Sequence, residues 1–294
     1  MKIRNVLITG GAGNLGRFII KELENDYHLR IIDEISKPND FEHEYIQNDI
    51  SDFDNINSAC KGMDAILHLA GIPIDTGEAL KIWRVNSTGT FNMYEAAAQN
   101  KIKKIIFSSS ICSYGFEFWS KPFTPDYFPL SESHSLKADD SYGMSKIIGE
   151  VLGYGYSSRY DISAFCFRLA TILFPGLPVT ESWISQISNP EFFLLPGVVS
   201  IKDTIWAYVD ARDVAKAYRL ALEYNGIQFE VYNIGASDIF SNEESLQLVR
   251  RFYPECKTVN REIFQKNKYG ALYGISKAQN ELKYQPSYSW KNYI

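Results

Sequence analysis

The stretch TGGAGNLG at positions 9–16 follows an apolar, β-branched run and opens a helix-like segment, so its glycines fall as Gly10-x-x-Gly13-x-x-Gly16 at a strand-to-helix turn. Few architectures accommodate such a turn. Glycine permits the tight bend and lets the backbone close on a diphosphate, whose charge then rests at the N-terminus of the helix. The expected loop contacts are Gly10, Gly13, Asn14, Leu15 and Gly16. The next strand-like run, LRIID, ends in Asp33, twenty-three residues after Gly10, where a carboxylate would accept from the ribose hydroxyls of a dinucleotide. Glu34 follows it directly, and two adjacent carboxylates would repel a ribose phosphate, which favours NAD over NADP.

The rest of the chain supports that reading. NVLITG, LRIID, EYIQND, AILHLAG, KIIFSSS, ISAFCFRLA and VYNIG read as strands, several apolar on both faces as central parallel strands are. Helical character lies between them at 14–25, 79–99 and 142–158. This alternation predicts an α/β doubly wound parallel sheet, the Rossmann fold, with ligand sites at the carboxyl ends of the strands. It breaks after Arg168: residues 169–201 contain no Lys or Arg, and Pro175, Pro178, Pro190 and Pro196 mark loops. WAYVDARDVAKAYRLALE then restores a helix and VYNIG a strand, with further helical stretches at 242–252 and 276–283. The expected division is a cofactor-binding domain over 1–172 and 206–236, and a smaller discontinuous substrate lobe over 173–205 and 237–294.

Charge narrows the function classes. The net charge of −5 is spread along the 294 residues, whereas a nucleic-acid binder would show a basic stripe. No apolar run approaches the roughly 20 residues of a membrane span, and the start has no charged-then-apolar leader layout, so a cytoplasmic protein is expected. Cys60, Cys112, Cys166 and Cys256 lie far apart, as do His28, His43, His68 and His134, which suggests neither a disulfide framework nor a metal site.

The fifth strand-like run ends in three serines, and DDSYGMSK follows about thirty residues on. Asp140 or Ser141 would cap a helix beginning at Tyr142, and a four-residue spacing puts Tyr142 and Lys146 on one face of it. A phenol with pKa about 10 is a poor base at neutral pH, and lowering it by about 3 units takes roughly 4 kcal/mol, which a close ammonium and the nicotinamide charge would supply. Tyr142 would then take the proton from a substrate hydroxyl while hydride leaves the same carbon, with Ser110 hydrogen-bonded to that oxygen. By spacing alone the pair also reads as a snorkelling surface pair. The same spacing recurs at Tyr273 and Lys277 in YGISK, with neither serines nor a glycine loop attached, and at Tyr253 and Lys257, which straddle Pro254. At the first of these, Ser276 would cap the last helix.

TGGAGNLG, Asp33, Asp49-Ile50, HLAG at 68–71, WRVNSTGTFNMYEAA at 83–97, SSSICSYG, YGMSKIIGE, VDARDVAKA and VYNIG together resemble the extended short-chain dehydrogenase/reductase family, its NAD-dependent epimerase/dehydratase group, along nearly the whole chain. The resemblance implies NAD as cofactor, with Asp49 and Ile50 at adenine, Leu69, Ala70 and Gly71 at the cofactor's middle, and Asn86 and Ser108 at its nicotinamide side. It implies Ser110, Tyr142 and Lys146 as the catalytic set, with Tyr142 and Lys146 also touching cofactor. A homodimer pairing the helices at 83–99 and 142–158 is implied, and a sugar or nucleotide-sugar substrate. Departures concern that substrate. Thr171 stands where nucleotide-sugar epimerases usually carry Asn, and Trp206 where they carry Arg; Ile111 and Cys112 replace the Asp-Glu pair of the dehydratases. Cys112 reads as a pocket-lining residue. Tyr114, Phe116, Phe118, Trp119 and Trp183 line a pocket or, for most of them, fill core. Lys202, Arg261, Lys266 or Lys268 would have to hold a diphosphate or carboxylate. Epimerase and net dehydrogenase outcomes remain open, against a non-catalytic NAD-binding sensor or scaffold of the same fold.

Overall fold

The computed structural model describes residues 3–121 and 123–293; residues 1–2 and 294, the outer ends of the expected spans, lie outside the described residues. The chain runs β1 (Asn5–Thr9), α1 (Asn14–Leu23), β2 (His28–Asp33), β3 (Glu44–Gln47), α2 (Phe53–Ala59), β4 (Ala65–His68), α3 (Ala79–Ile82), α4 (Gly89–Gln99), β5 (Lys104–Ser110), α5 (Ser141–Arg159), β6 (Ser163–Leu169), α6 (Ala211–Glu223) and β7 (Phe229–Ile234). These strands form one seven-stranded parallel sheet in the order β7-β6-β5-β4-β1-β2-β3. Register is set in the middle: Ile8 pairs with Ile31 on one side and Leu67 on the other. Every residue of β4 and β5 is buried, as expected for central parallel strands covered by helices on both faces.

Contacts divide the chain into two compact units, Met1–Ser110, Ser141–Phe167 and Ala215–Val231 in the first, Ile111–Asp140, Arg168–Val214 and Tyr232–Ile294 in the second. In the first, Leu7, Ile32, Ile66, Met93, Tyr94, Ile105 and Ala164 belong to one fully buried cluster. Helix α5 lies unusually close to the sheet: a Cβ on Gly149 would stand 2.2 Å from Phe107 Cζ. Lys104 is buried at the start of β5, and its ammonium donates to the carbonyls of Ala221 and Leu222 at 2.8 Å and to that of Tyr224. It thereby satisfies orphan carbonyls at the end of α6 that would otherwise need water.

The second unit is built from short pieces. Strands Tyr127–Phe128 and Thr258–Val259 pair, as do Thr171–Leu173 and Tyr208–Asp210, and Phe193–Leu195 and Val199–Ser200; helices span Pro178–Ser185, Ser245–Phe252, Arg261–Lys266 and Ser276–Glu281. Buried Tyr114 receives a hydrogen bond from Arg168 Nη1 at 2.9 Å and donates to Asn233 Oδ1 at 2.8 Å. Tyr273 donates to the carbonyl of Arg168 at 2.7 Å, and Lys277 lies over the Tyr232 ring, so YGISK is spent on this unit's own core. Tyr253 is likewise buried, donating to Lys202 O at 2.7 Å. Ser276, expected as a cap, is instead the first helical residue: Gln279 N bonds Ile275 O, which moves the helix start back to Ile275.

Alanine at 149 would gain about 1 kcal/mol of helix propensity over glycine. Overpacking costs about 1–3 kcal/mol, and a 2.2 Å approach to an aromatic ring makes that the larger effect. Gly149→Ala is therefore expected to lower unfolding free energy, by up to about 2 kcal/mol, in urea titrations. Unchanged stability would mean that α5 has room to withdraw from β5.

Candidate active site

At the end of β1 the backbone turns at Gly10 with φ +70°, and a Cβ there would lie 2.7 Å from Ala70 Cα and N. Only glycine brings the loop this close to the chain leaving β4. Gly16 packs its turn onto Gly11 with similarly little space. Gly13 occupies the N-cap position of α1, where no side chain caps the helix and no acidic residue lies in the first turn. A Cβ on Gly13 would meet only Gly10 O, at 3.3 Å, and beside it Asn14 is exposed and Leu15 half-buried. Unpaired N–H groups at such an end fit a diphosphate. Asp33 ends β2 next to this loop, its Oδ2 accepting from Ala12 N at 3.0 Å and its Oδ1 from Ile35 N at 3.4 Å. These features together fit a dinucleotide.

Further along, Asp49 Oδ1 accepts from Ser51 N at 2.8 Å, and Ile50 is buried with its carbonyl receiving Asn92 Nδ2 at 3.2 Å. Leu69 N donates to Thr9 O at 3.1 Å and Ala70 N to Thr9 Oγ1 at 3.2 Å, which ties the start of the 69–71 stretch to β1. Gly71 lies against the side chain of Asn86. That side chain, expected beside the nicotinamide, bridges parts of the protein itself: Oδ1 accepts from Ile72 N at 2.7 Å, and Nδ2 donates to Ile72 O at 3.0 Å and Ser145 Oγ at 3.2 Å. Asn86 lies in a π-helical turn, Trp83–Thr88, between α3 and α4.

The serines of β5 have separate tasks. Ser108 Oγ shares a hydrogen bond with Tyr218 OH at 2.6 Å, while its carbonyl accepts from Lys146 Nζ at 3.0 Å. Ser109 Oγ donates to Glu150 Oε1 at 2.6 Å. Ser110 ends the strand, 6% exposed. On α5, Lys146 Nζ stands 5.3 Å from the Tyr142 ring centroid and equally far from that of Phe107, with both members of the pair buried. An ammonium held this way stabilises negative charge on a neighbouring oxygen far better than in water. The helix begins at Ser141, whose N–H donates to Asp75 Oδ2 at 3.2 Å, a partner from a distant loop that spacing along the chain does not show. Ser145 and Glu150 were readable in YGMSKIIGE as neighbours of Lys146 on the helix, yet their partners come from elsewhere.

In the second unit Cys112 is buried, and Tyr114 and Phe116 are core residues stacked on one another. Thr171 opens a short strand, and Trp206 is wholly buried, donating from Nε1 to Pro190 O at 2.8 Å. Lys202 pairs with Glu191 at 3.1 Å and Lys268 with Glu244 at 2.9 Å; Arg261 and Lys266 are exposed on their helix. Among the described residues no group of His, Cys, Asp and Glu could hold a metal ion, and no helix is long and apolar enough to cross a membrane.

Known proteins are similar to this chain in sequence and in fold. The profile of the NAD dependent epimerase/dehydratase family matches residues 6–235. Over 170 residues, 56% of this chain, the sequence is 32% identical to a uronate dehydrogenase of Pseudomonas syringae pv. tomato, and the match spans 58% of that relative's length. It is 27% identical over 306 residues to a putative UDP-glucose 4-epimerase of Methanocaldococcus jannaschii, covering 97% of this chain and 92% of that one. The solved structure of MoeE5 in complex with UDP-glucose and NAD has the same fold, with TM-score 0.71 at 18% identity over 98% of this chain and 95% of that one.

His68 is wholly buried in the first unit. Its Nδ1 is 2.7 Å from Thr9 Oγ1 and its Nε2 3.0 Å from Thr90 Oγ1, and its ring stacks on Phe107. Burial, and after it the charge of Lys146, push its pKa down to about 3, against about 6.5 in an unfolded chain. Between these values the unfolded chain binds the extra proton, so stability is full above about pH 6.5 and falls as pH drops toward the folded value. Unfolding free energy should therefore decline from about pH 7 to about pH 5, and the His68→Gln variant should lose roughly one proton's worth of that slope. Equal slopes in the two proteins would refute the neutral, buried imidazole.

Proposed function

Because the chain belongs to the NAD dependent epimerase/dehydratase family, we propose that it transfers hydride between NAD and a secondary alcohol carbon of a sugar, with Tyr142 as the base. The observation that carries this reading is the buried Lys146 ammonium, fixed by the Ser108 carbonyl and 5.3 Å from the Tyr142 ring. NAD, when bound, supplies the hydride acceptor. The protein's part is positional and electrostatic. Tyr142 takes the hydroxyl proton, Lys146 favours the phenolate, and Ser110 hydrogen-bonds the same oxygen. Gly10, Gly13, Asn14, Leu15 and Gly16 would receive the diphosphate, Asp33 the adenosine ribose, Asp49 and Ile50 the adenine, and Leu69 to Gly71 the middle of the cofactor. Ser108 and Asn86 would shape the nicotinamide side, Asn86 through Ile72. In this assignment residues 1–172 and 206–236 bind cofactor, and 173–205 and 237–294 bind substrate.

A free sugar oxidised with net release of NADH fits better than a UDP-sugar. A buried diphosphate needs committed cations, but Lys202 and Lys268 already face Glu191 and Glu244, Arg261 and Lys266 stand exposed on the surface of their helix, and Trp206 is buried where an Arg was sought. The likeness to a uronate dehydrogenase adds to this preference. A sensor without turnover would have no use for the Tyr142–Lys146 pair. For assembly, Leu80, Trp83, Phe91, Met144, Val151 and Tyr154 expose large apolar side chains on α3, α4, α5 and the π-helical turn, which supports a dimer formed by pairing those helices.

Tyr142→Phe should lower kcat by about 10²–10⁴-fold with NAD affinity nearly unchanged, as read from NADH absorbance across free sugars, uronates and UDP-sugars. Full activity in that variant would exclude Tyr142 as base; tightly retained cofactor without net reduction would favour epimerisation. Val151→Glu should shift the protein from dimer to monomer in sedimentation equilibrium, and a wild type that is already monomeric would dispose of the dimer.

A further inference from the structure

The loop that leaves β4 grips the first turns of α5 at two places. Asp75 Oδ2 accepts from Ser141 N at 3.2 Å, and its Oδ1 is fixed by Gly77 N at 2.8 Å. Eleven residues on, the amide of Asn86 clasps both backbone groups of Ile72 and donates to Ser145 Oγ at 3.2 Å; that hydroxyl donates in turn to Tyr142 O at 2.7 Å. Asn86 and Ser145 are buried. The π-helical turn at Trp83–Thr88 matters here, because an extra residue in a helix turns a side chain off its regular face. A carboxylate supplied from a loop also does for Ser141 what a local N-cap side chain does elsewhere.

We propose that Asp75, Asn86 and Ser145 are positioning residues for Tyr142, forming a brace through which the backbone next to the cofactor's middle sets where the phenol stands. The proposal rests on the reading of Tyr142 as base. Each member acts through backbone of the 141–145 turn or of Ile72, so none needs to touch the substrate. A displacement of about 1 Å at a reacting group costs on the order of a hundredfold in rate, so loosening this turn should appear in kcat before it appears in binding.

The test compares Asp75→Ala, Asp75→Asn, Ser145→Ala and Tyr142→Phe with the wild type. Readouts are kcat and KM for the sugar, Kd for NAD, the pH dependence of kcat, and amide hydrogen exchange at the start of α5. Asp75→Ala and Ser145→Ala should each lower kcat by about tenfold or more, with KM and NAD Kd changing less than about threefold. The acid limb of the kcat profile should move, exchange at the first turn of α5 should quicken, and Asp75→Asn, which keeps one of the two acceptor oxygens, should turn over at a rate between those of the wild type and Asp75→Ala. The proposal fails if both alanine variants keep kcat within about twofold of wild type, or if kcat falls only in step with NAD affinity and melting temperature. Full activity of Tyr142→Phe would refute the base assignment itself, whereas an inactive Tyr142→Phe beside undisturbed alanine variants removes only the brace.

Discussion

The close approach of α5 to β5 at Gly149 sets the geometry on which the candidate site depends. With no Cβ at that position the helix descends onto Phe107, and one turn earlier Lys146 reaches the carbonyl of Ser108. Ser109 and Glu150 add a second tie between the same two elements. Phe107 is also the surface against which both Lys146 and His68 rest. A protonated His68 beside Lys146 would put a second positive charge into a buried space, and the imidazole is held neutral there by burial and by that lysine. One aromatic ring thus keeps a cation and a neutral imidazole in place, and the cation is the one that faces Tyr142.

The second unit spends its polar groups on itself. Arg168 is buried, yet its guanidinium lies over the Tyr114 ring and donates to Tyr114 OH and Glu132 O. Ile205 and Trp206 hold consecutive left-handed backbone conformations, φ 51° and 53°, which costs β-branched and bulky residues free energy. Complete burial of both side chains and the bond from Trp206 to Pro190 O offset that cost. Lys202 and Lys268 are likewise tied, to Glu191 and Glu244, so a new anion at either must first compete with a partner already in place.

Much of the first unit was legible because its signals are local. Period-2 and two-faced apolar runs gave the strands, a glycine turn gave the start of α1, and the helices at 79–99 and 142–158 fall where their spacing put them. Tyr142 and Lys146 share a helix face for the same reason. What escaped the sequence depends on partners far along the chain. Ser141 finds Asp75 sixty-six residues away, Lys104 caps carbonyls more than a hundred residues on, and Asn86 reaches Ser145 from a π-helical turn that interrupts an otherwise regular pattern. Such pairings follow from tertiary register, which no window of neighbouring residues contains. Trp206 was readable only as a departure from a pattern; its burial fixes what the departure does to the second unit.

The length of the path between the two halves of the site bears on how they communicate. Thr9 fixes Leu69 and Ala70, Asn86 clasps Ile72, and Asp75 holds Ser141, so the loop over 69–75 that leaves β4 is tied at Leu69, Ala70, Ile72 and Asp75. A segment pinned so often has few conformations left to lose when a ligand orders it. Its ties to α5 run from Ile72 through Asn86 and Ser145 to the carbonyl of Tyr142, and from Asp75 to Ser141. By linkage, whatever steadies the first turn of α5 also steadies the backbone floor at 69–72. The backbone at 69–72 and the first turn of α5 are thus ordered by one short, well-anchored loop.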